Sequence, residues 1–348
     1  MEFKKVLSNW YSTNKRELPW RNTKNPYYIW LSEIIMQQTQ IKQGLPYYEA
    51  FVTNYPTVFD LANASEHDVL KLWQGLGYYS RARHLHASAK YIASELKGQF
   101  PSSYRDLIKL KGVGDYTASA IASICFDEPT AVVDGNVYRV LSRYFGIDTP
   151  INSSQGIKEF KTLASTLMDT ENPGNYNEAL MEFGAIQCKP KNPNCMVCPL
   201  KSSCIALQKG EIENLPVKLK KTKVTKKQFN FLVLLSSDQR TLFEKRSTKG
   251  IWQNLYQFPL IETDQELSSE DFKTHPEIKS FFKDIAFEYS LYNTQEIIHK
   301  LSHQHLHTKF WIIEVDKLPQ QGIPVSELKS YPTPILIGNF IEEFNFTT

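Results

Sequence analysis

The chain of 348 residues is long enough for about two domains, and its 41% of hydrophobic residues can supply a core to each. A net charge of +3 permits an anionic partner without requiring one. No run of roughly 18 apolar residues could span a bilayer and the first residues resemble no export signal, so we expect a cytoplasmic protein, associated with the nucleoid in a bacterium.

The first 210 residues follow a helical pattern, with apolar positions recurring every three or four residues. We therefore predict an all-α domain over residues 1–210. Its predicted helices lie near 28–41, 78–97, 115–126, 136–145, 156–168 and 176–187.

Two motifs lie just before and within the first of these helices. Residues 18–21 read LPWR and residues 30–40 read WLSEIIMQQTQ. On a helix, Glu33 shares a face with Trp30 and Met36, where poor solvation would favour the protonated carboxyl. By itself, however, one acid on an amphipathic helix is most simply a solvated charge.

A further motif lies at residues 74–83, which read QGLGYYSRAR and place Tyr78 at a glycine turn. Such a turn is also typical of an ordinary helix start.

A glycine hairpin follows at residues 110–118, which read LKGVGDYTA. Gly112 and Gly114 permit a tight turn, and the free amides at the start of the next helix are suited to a phosphate. A purely structural turn is an equally good interpretation. Residues 132–140, VVDGNVYRV, place Asp134 where an N-cap is expected, which is the commonest role of Asp before a helix.

Four cysteines end the helical domain, with six, two and five residues between them: Cys188, Cys195, Cys198 and Cys204. Four thiolates in one loop suit either tetrahedral zinc or a [4Fe-4S] cluster. Zinc sites usually use two Cys-x-x-Cys pairs, and a single pair in one loop favours the cluster. A disulfide-linked loop is the third interpretation, and a reducing compartment disfavours it.

Residues 211–227 are predicted to be a basic linker, in which six lysines lie within ten residues. It is either a solvated spacer or a strap along phosphates, and less readily a nuclear-import signal. The lysines are Lys218, Lys220, Lys221, Lys223, Lys226 and Lys227.

The pattern changes to that of strands after the linker, which predicts a smaller α+β domain over residues 228–348. The predicted strands lie at 229–235, 241–245, 296–301 and 309–315, and a polar helical stretch lies near 266–283.

In combination, the hairpin, Asp134 and the cysteine loop resemble the helix-hairpin-helix DNA glycosylases of the endonuclease III superfamily. The resemblance covers essentially residues 1–210 and implies an enzyme that flips a base out of the duplex and cuts its glycosidic bond. It also implies a [4Fe-4S] cluster in the loop 188–204. Strand-cutting members carry a lysine where this chain has Tyr116, which implies base removal without strand cleavage.

The motifs around Glu33 are similar to those of the MutY-type adenine glycosylases. The resemblance implies that Glu33 protonates N7 of the extruded adenine while Asp134 stays ionised beside the sugar. Tyr116 and Asn136 resemble residues that orient this centre. The residues that resemble the family's adenine pocket are Arg21, Trp30 and Glu178, and those that resemble its intercalating residues are Gln38 and Tyr78.

Residues 245–259, KRSTKGIWQNLYQFP, look like the start of a MutT-like, Nudix-fold domain. A working hydrolase would continue with an Arg-Glu-x-x-Glu-Glu helix that holds magnesium, which this chain lacks, so the resemblance implies a domain reused to recognise 8-oxoguanine. Residues 301–303 match the family's Phe-Ser-His loop, with Leu301 in place of Phe. Ser302 and His303 are therefore implied to contact the partner of the adenine.

We accordingly expect a monomer that acts on double-stranded DNA with 8-oxoguanine:adenine or guanine:adenine mispairs. One alternative is another mismatch glycosylase on the same scaffold. The other is a non-catalytic DNA-binding or redox-sensing iron-sulfur protein, which would need neither Glu33 nor Asp134.

Overall fold

The computed structural model describes residues 2–219, 224–283 and 285–346. These residues form two units, which are described separately. The first contains residues 2–64 and 84–219, and the second contains residues 65–83 together with the described residues from 224 onward. Three lysines of the predicted linker, Lys220, Lys221 and Lys223, lie outside the described residues.

Residues 2–219 form helices, as the apolar spacing predicts. The change from a helical to a strand pattern near residue 225 is therefore confirmed. In chain order the helices are α1 (Glu2–Asn14), α2 (Pro26–Ile35), α3 (Ile41–Asn54), α4 (Val58–Asn63), α5 (Glu66–Leu72), α6 (Ser80–Ser94), α7 (Tyr104–Leu107), α8 (Asp115–Phe126), α9 (Gly135–Phe145), α10 (Ser154–Thr166), α11 (Pro173–Glu182) and α12 (Ile205–Lys209).

Two predicted helices are interrupted or shortened at residues with left-handed backbone. The predicted helix near 28–41 is instead the end of α2 and the start of α3, because Gln38 between them has a φ of 54°. Tyr78 has a φ of 48°, so α6 begins only at Ser80. Positive φ is uncommon outside glycine and cannot continue a right-handed helix. Both residues are ones that the family resemblance associates with DNA intercalation.

The core of the first unit surrounds helix α9. Its apolar side chains Val137, Val140 and Leu141 are buried and pack with Phe160 of α10 and with Phe183 just after α11. The polar side of α9 begins at Asp134, which caps the helix. Packing on one face therefore fixes the position of the residues at its N-terminus.

The strands and α-helices of the second unit from Thr225 onward are β1 (Thr225–Ser236), β2 (Arg240–Thr241), β3 (Glu244–Lys245), β4 (Tyr256–Gln257), β5 (Leu260–Thr263), α13 (Ser269–Phe272), α14 (Pro276–Phe282), β6 (Glu288–Leu291), β7 (Ile297–Lys300), β8 (Gln304–Val315), β9 (Ile323–Pro324) and α15 (Ile335–Glu343). They include a mixed five-stranded sheet in the order β5-β1-β8-β6, with β7 also paired to β8. β1 and β8 are parallel, with Phe231 opposite Phe310, and the other pairs in this sheet are antiparallel. The two-stranded sheets β2–β9 and β3–β4 complete the unit.

The central strands are buried on both faces because helices cover each side of the sheet. On one face the ring of Trp311 stacks on Phe272 of α13 with centroids 4.2 Å apart. On the other, Phe310 stacks on Phe340 of α15, also at 4.2 Å. Strands covered on both faces are expected to be buried without alternation, as β1 is over residues 229–234, where every residue except Asn230 is apolar. The predicted α+β architecture is confirmed.

The short segment 65–83 packs with the second unit although it lies early in the chain. The Lys71 ammonium donates a hydrogen bond of 2.6 Å to the carbonyl of Lys329, and the Tyr79 hydroxyl donates one of 3.1 Å to the carbonyl of Thr333. These bonds join residues more than 250 positions apart, so no local pattern could predict them.

The structure therefore draws the boundary differently from the predicted division into 1–210, 211–227 and 228–348. Residues 65–83 belong to the second unit and not to the predicted first domain. Strand β1 starts at Thr225, inside the predicted linker. The beginning of that linker belongs to the first unit, where Leu215 is buried and the carbonyl of Val217 accepts from the amide of Ile151 at 3.0 Å.

Across the described ranges, no helix is both long and apolar enough to cross a membrane.

The glycine hairpin provides a test of backbone strain with an internal control. Gly112 has a φ of 80°, and a Cβ there would lie 2.8 Å from the Cβ of His84, whereas Gly114 has an extended backbone and nothing within 4 Å of an added Cβ. We expect Gly112→Ala to lower the free energy of unfolding by about 1–3 kcal/mol and Gly114→Ala by less than about 1 kcal/mol. Thermal unfolding of both variants measures the difference, and equal losses would contradict the assigned strain.

Candidate active site

Helix α2 presents Glu33 at the edge of the first unit's interior. The helix starts where the side chain of Asn25 accepts a hydrogen bond of 3.0 Å from the amide of Tyr27, with Pro26 at the first position, which favours a helix start. Most of α2 is buried, and Glu33 is partly buried among apolar neighbours. Its carboxyl is hydrogen-bonded to the hydroxyl of Tyr116.

Tyr116 is the second residue of α8, immediately after the glycine hairpin, so the hairpin sets its position. Its hydroxyl also lies 3.5 Å from the sulfur of Met181. Gln37 connects the end of α2 to the same hairpin, because its Nε2 donates to the Oγ1 of Thr117 at 3.2 Å. The hairpin therefore has a structural role beside Glu33.

Asp134 caps helix α9 and accepts three hydrogen bonds. Its Oδ1 accepts from the amides of Asn136 and Val137, both at 2.8 Å, and its Oδ2 accepts from the Asn136 side chain at 2.7 Å. The N-cap interpretation of the sequence is thus correct for Asp134. It does not exclude chemistry, because capping holds the carboxylate in one orientation with donors on both oxygens.

The two carboxyls differ in what surrounds them. Burial raises the pKa of Glu33 to about 7, and the negative charges of Glu178 and Asp134 act in the same direction while the Tyr116 hydrogen bond opposes them. Burial also raises the pKa of Asp134, but the hydrogen bonds from Val137 and Asn136 favour its anion. Glu33 is thus the carboxyl with the weaker support for ionisation.

Arg139 was not singled out in the sequence, yet it links the site to the cysteine loop. Its guanidinium donates to the side-chain oxygen of Asn136 at 2.9 Å and to the carbonyls of Gly184 at 2.6 Å and Cys188 at 2.7 Å. The sequence feature that could have identified Arg139 is its position five residues after Asp134, on the helix that Asp134 caps. Asn136, which donates to Asp134, is itself held by this contact.

Two predicted adenine-pocket residues come together between α11 and the segment after α1. Glu178 lies on α11, and the Nε of Arg21 is 3.9 Å from its carboxylate. The hydroxyl of Tyr11, a residue that the sequence analysis missed, donates to Glu178 at 3.2 Å. Burial raises the pKa of Glu178, and Arg21 and Tyr11 lower it.

Arg21 is held in place by a second missed residue, Glu182. Its carboxylate is almost fully buried and accepts from the guanidinium of Arg21 at 2.8 Å and from that of Arg16 at 2.6 Å. Burial alone would raise the pKa of Glu182, but the hydrogen bonds from both arginines lower it to about 2. The signal in the sequence was its spacing of four from Glu178, which places both acids on one helix face.

Trp30 lies in the core. Its side chain is 0% exposed and packs edge-to-face on Phe100 with ring centroids 5.5 Å apart. A base therefore cannot touch it in this structure, and it supports the site from behind.

The four clustered cysteines line one small pocket in the first unit. None of the four forms a disulfide bond, so the disulfide interpretation finds no support. The pocket walls are mainly apolar, with Val140 of α9 and Phe183 among them. Two basic residues, Arg143 and Lys201, also line the pocket, and the buried guanidinium of Arg143 lies 3.5 Å from the sulfur of Cys188.

The spacing of these thiols bears on what they could bind. In the part of the chain that the structure describes, no three His, Cys, Asp or Glu side chains are arranged to hold one metal ion. Zinc needs its sulfurs about 2.3 Å from a common centre, whereas a cluster binds each thiolate to a different iron and tolerates wider separation.

The predicted DNA-contacting residues divide between the units. In the first unit, Gln38, Gly112 and Gly114 are exposed. In the second, the hydroxyls of Tyr78 and Ser302 are hydrogen-bonded at 2.8 Å, and both residues are exposed. His303 is exposed beside Ser302 in the turn between β7 and β8.

The side chain of Arg81 packs against the turn that carries Tyr78. It is buried, and its guanidinium lies 5.1 Å from the ring centroid of Trp73 and 5.5 Å from that of Tyr78. Cation–π contacts of this length hold an aromatic ring in place. The contact with Arg81 thus supports the Tyr78 side chain, which is exposed at the surface.

Comparisons with known families agree with this geometry. Residues 31–164 match a family described as HhH-GPD superfamily base excision DNA repair protein, and residues 230–343 match a family described as NUDIX domain. An adenine DNA glycosylase of Buchnera aphidicola subsp. Schizaphis graminum is 36% identical over 313 residues, which cover 88% of this chain and 85% of that protein. An adenine DNA glycosylase of Homo sapiens is 43% identical over 222 residues, or 61% of this chain and 41% of that protein.

Solved structures show the same helical fold. A thermostable thymine-DNA glycosylase superposes with a TM-score of 0.56 at 30% identity and covers 60% of this chain and 96% of its own. Endonuclease III in a non-covalent complex with DNA superposes with a TM-score of 0.53 at 21% identity, covering 60% of this chain and 95% of its own.

The raised pKa of Glu33 predicts how stability depends on pH. The pKa of this carboxyl is usually 4.5 and is about 7 in the folded state. Between these two pH values the folded state binds a proton that the unfolded state has lost. The folded state therefore loses stability as pH rises from 4.5 to about 7. Glu33→Gln removes this loss. We expect the variant to gain on the order of 2 kcal/mol over the wild type between pH 5 and pH 8, or roughly 5 °C in Tm.

Differential scanning calorimetry at both pH values measures this gap. Glu49→Gln, which neutralises an exposed carboxyl on α3, is the matched control and should show no change. A gap that is constant from pH 5 to pH 8 would contradict the assigned pKa.

Proposed function

The chain belongs to the family of adenine DNA glycosylases, enzymes of base excision repair, and from this we propose that it removes adenine paired with 8-oxoguanine or guanine and leaves an abasic site. The observation that carries the proposal is the pair of carboxyls in the first unit. Glu33 is poised to be protonated near neutral pH, and Asp134 is surrounded by donors that favour its anion.

Glu33 is the general acid. Adenine is a poor leaving group as an anion, and protonation at N7 lets it depart as a neutral base. An acid with a pKa of about 7 is protonated in a large fraction of molecules at neutral pH and still transfers its proton readily. The hydrogen bond from Tyr116 orients the carboxyl toward its target.

Asp134 stabilises the positive charge that develops on the sugar as the bond to adenine breaks. Its fixed orientation suits this role, because a preorganised anion needs no rearrangement during the reaction. Asn136 donates to Asp134 and so holds the carboxylate in position. Water then attacks the sugar and completes the hydrolysis.

The extruded adenine enters the space bordered by Arg21 and Glu178. Glu178, with its pKa raised by burial, and the guanidinium fixed by Glu182 supply an acceptor and a donor for the edge of the base. Two arginines on one buried carboxylate restrict Arg21 to a single position.

Base removal occurs without strand cleavage. The position that carries a nucleophilic lysine in strand-cutting relatives is Tyr116, whose pKa burial raises well above its usual value. A neutral phenol hydrogen-bonded to Glu33 is a poor nucleophile for the sugar and forms no Schiff base.

The second unit selects the base opposite the adenine. Tyr78 fills the space that the extruded base leaves, since base–aromatic stacking contributes about 1–3 kcal/mol. Ser302, hydrogen-bonded to Tyr78, reads N7-H and O8 of 8-oxoguanine, and Leu301 replaces the aromatic ring of the related Phe-Ser-His loops.

Excision is tested with the purified full-length chain and an end-labelled 8-oxoguanine:adenine duplex under single-turnover conditions. We expect breaks in the adenine strand only after treatment with alkali, and Glu33→Gln to lower the rate by roughly 10²–10⁴-fold, the usual worth of a general acid. Glu49→Gln is again the matched control and should retain the wild-type rate.

Three outcomes would contradict the proposal. Breaks without alkali would exclude the monofunctional reaction. No product from the wild type, or equal rates for wild type and Glu33→Gln, would exclude the assigned chemistry. A guanine:adenine duplex run in parallel reports the preference for the oxidised base.

The proposal includes a [4Fe-4S] cluster held by Cys188, Cys195, Cys198 and Cys204. When bound, such a group cross-links the segments of its loop, and hydrolysis of a glycosidic bond needs no electron transfer from it. The apolar pocket and the guanidinium of Arg143 beside Cys188 support it, since a nearby cation stabilises thiolate ligands.

Metal analysis tests this assignment. We expect the purified protein to contain iron and acid-labile sulfide in equal amounts, and Cys198→Ser to lose both together with part of its thermal stability. Stoichiometric zinc without sulfide in the wild type would show that the ligand set holds zinc instead.

A further inference from the structure

The glycine hairpin carries a charge that conflicts with a phosphate grip. Asp115 is the first residue of α8, directly after Gly114. The first hydrogen bond within this helix runs from the amide of Ala118 to the carbonyl of Gly114, so the three preceding amides have no partner in the helix and suit a DNA phosphate. The carboxylate of Asp115 at the same end repels such an anion.

Lys161, on helix α10, forms an ion pair with Asp115. Its Nζ lies 2.9 Å from both carboxylate oxygens of Asp115. The same ammonium donates to the Oγ of Ser119 at 3.2 Å and to the carbonyl of Ala131 at 2.7 Å. An ammonium has three donors, and here each has an acceptor group, which fixes its position.

This arrangement differs from an ordinary surface ion pair. Such pairs usually contribute little, because two mobile side chains must be ordered in solvent. Lys161 is only 32% exposed, lies 5.8 Å from the ring centroid of Tyr104 and bonds to two separate segments of the first unit, helix α8 and the stretch that contains Ala131. The Tyr104 hydroxyl also donates a hydrogen bond of 2.9 Å to Asp115, which helps to hold the carboxylate in one orientation.

We propose that Lys161 is a positioning residue for DNA binding: it cancels the charge of Asp115 and thereby allows the hairpin amides to accept a backbone phosphate. This inference rests on the proposed function, since it assumes that the hairpin contacts duplex DNA. Lys161 itself contacts Asp115 and not the phosphate. The prediction that separates it from a direct contact is rescue by removal of the acid.

The experiment measures the affinity of the full-length protein for an undamaged fluorescent duplex by anisotropy at several salt concentrations. We expect Lys161→Met to weaken binding roughly 5- to 20-fold at low salt, because it leaves Asp115 uncompensated beside a phosphate. Asp115→Asn in the same background should restore the affinity to within about twofold of the wild type. Lys161→Arg, which keeps the charge, should bind nearly normally.

A matched control comes from Lys158, an exposed lysine on the same helix. Lys158→Met makes the same change in net charge, and any effect it has should not respond to Asp115→Asn. Thermal unfolding of each variant identifies loss of folded protein, and affinities are compared for the folded fraction.

Three results would overturn the inference. If the double variant binds as weakly as Lys161→Met and the slope of affinity against salt falls by about 1, Lys161 contacts a phosphate directly. If Lys161→Met lowers Tm but leaves affinity unchanged, its role is structural only. Absence of duplex binding by the wild type would overturn the proposed function as well, whereas loss of excision with normal binding would concern the active site alone.

Discussion

The first unit is organised around one constraint: three carboxyl groups, Glu33, Asp134 and Glu178, share a poorly hydrated space. Burial raises the pKa of each, and like charges in such a space cannot ionise independently. The fold assigns each a different set of partners, namely one phenol, three N–H donors at a helix start, and a phenol with a guanidinium. In the proposed mechanism, that difference lets one act as an acid while its neighbour acts as an anion.

Much of this could be predicted from the sequence, because the decisive signals are local. The change of period, the glycine hairpin and the residues around Glu33 and Asp134 each lie within about ten residues, and the family matches confirm the predicted fold and family. For Asp134, capping and proposed catalysis proved compatible, since the bonds that end the helix also orient the carboxylate.

What could not be predicted depends on contacts distant in sequence. Glu182 meets Arg16 across 166 positions, and the segment 65–83 joins a unit whose other residues begin after 220. Burial of Trp30 likewise depends on Phe100, which no helical spacing relates to it. Left-handed backbone at Gln38 and Tyr78 broke two predicted helices, because neither residue type signals a positive φ as glycine does.

The hydrogen bond between Tyr78 and Ser302 has an energetic consequence for discrimination. The serine hydroxyl already has a partner in the free protein, so the contact proposed between Ser302 and the opposite base competes with the bond to Tyr78. A base with a hydrogen-bonding group that matches Ser302 replaces the lost bond, whereas a base without such a group leaves the serine hydroxyl with no partner. In the proposed recognition, selectivity then arises chiefly as a penalty against bases that lack the matching group.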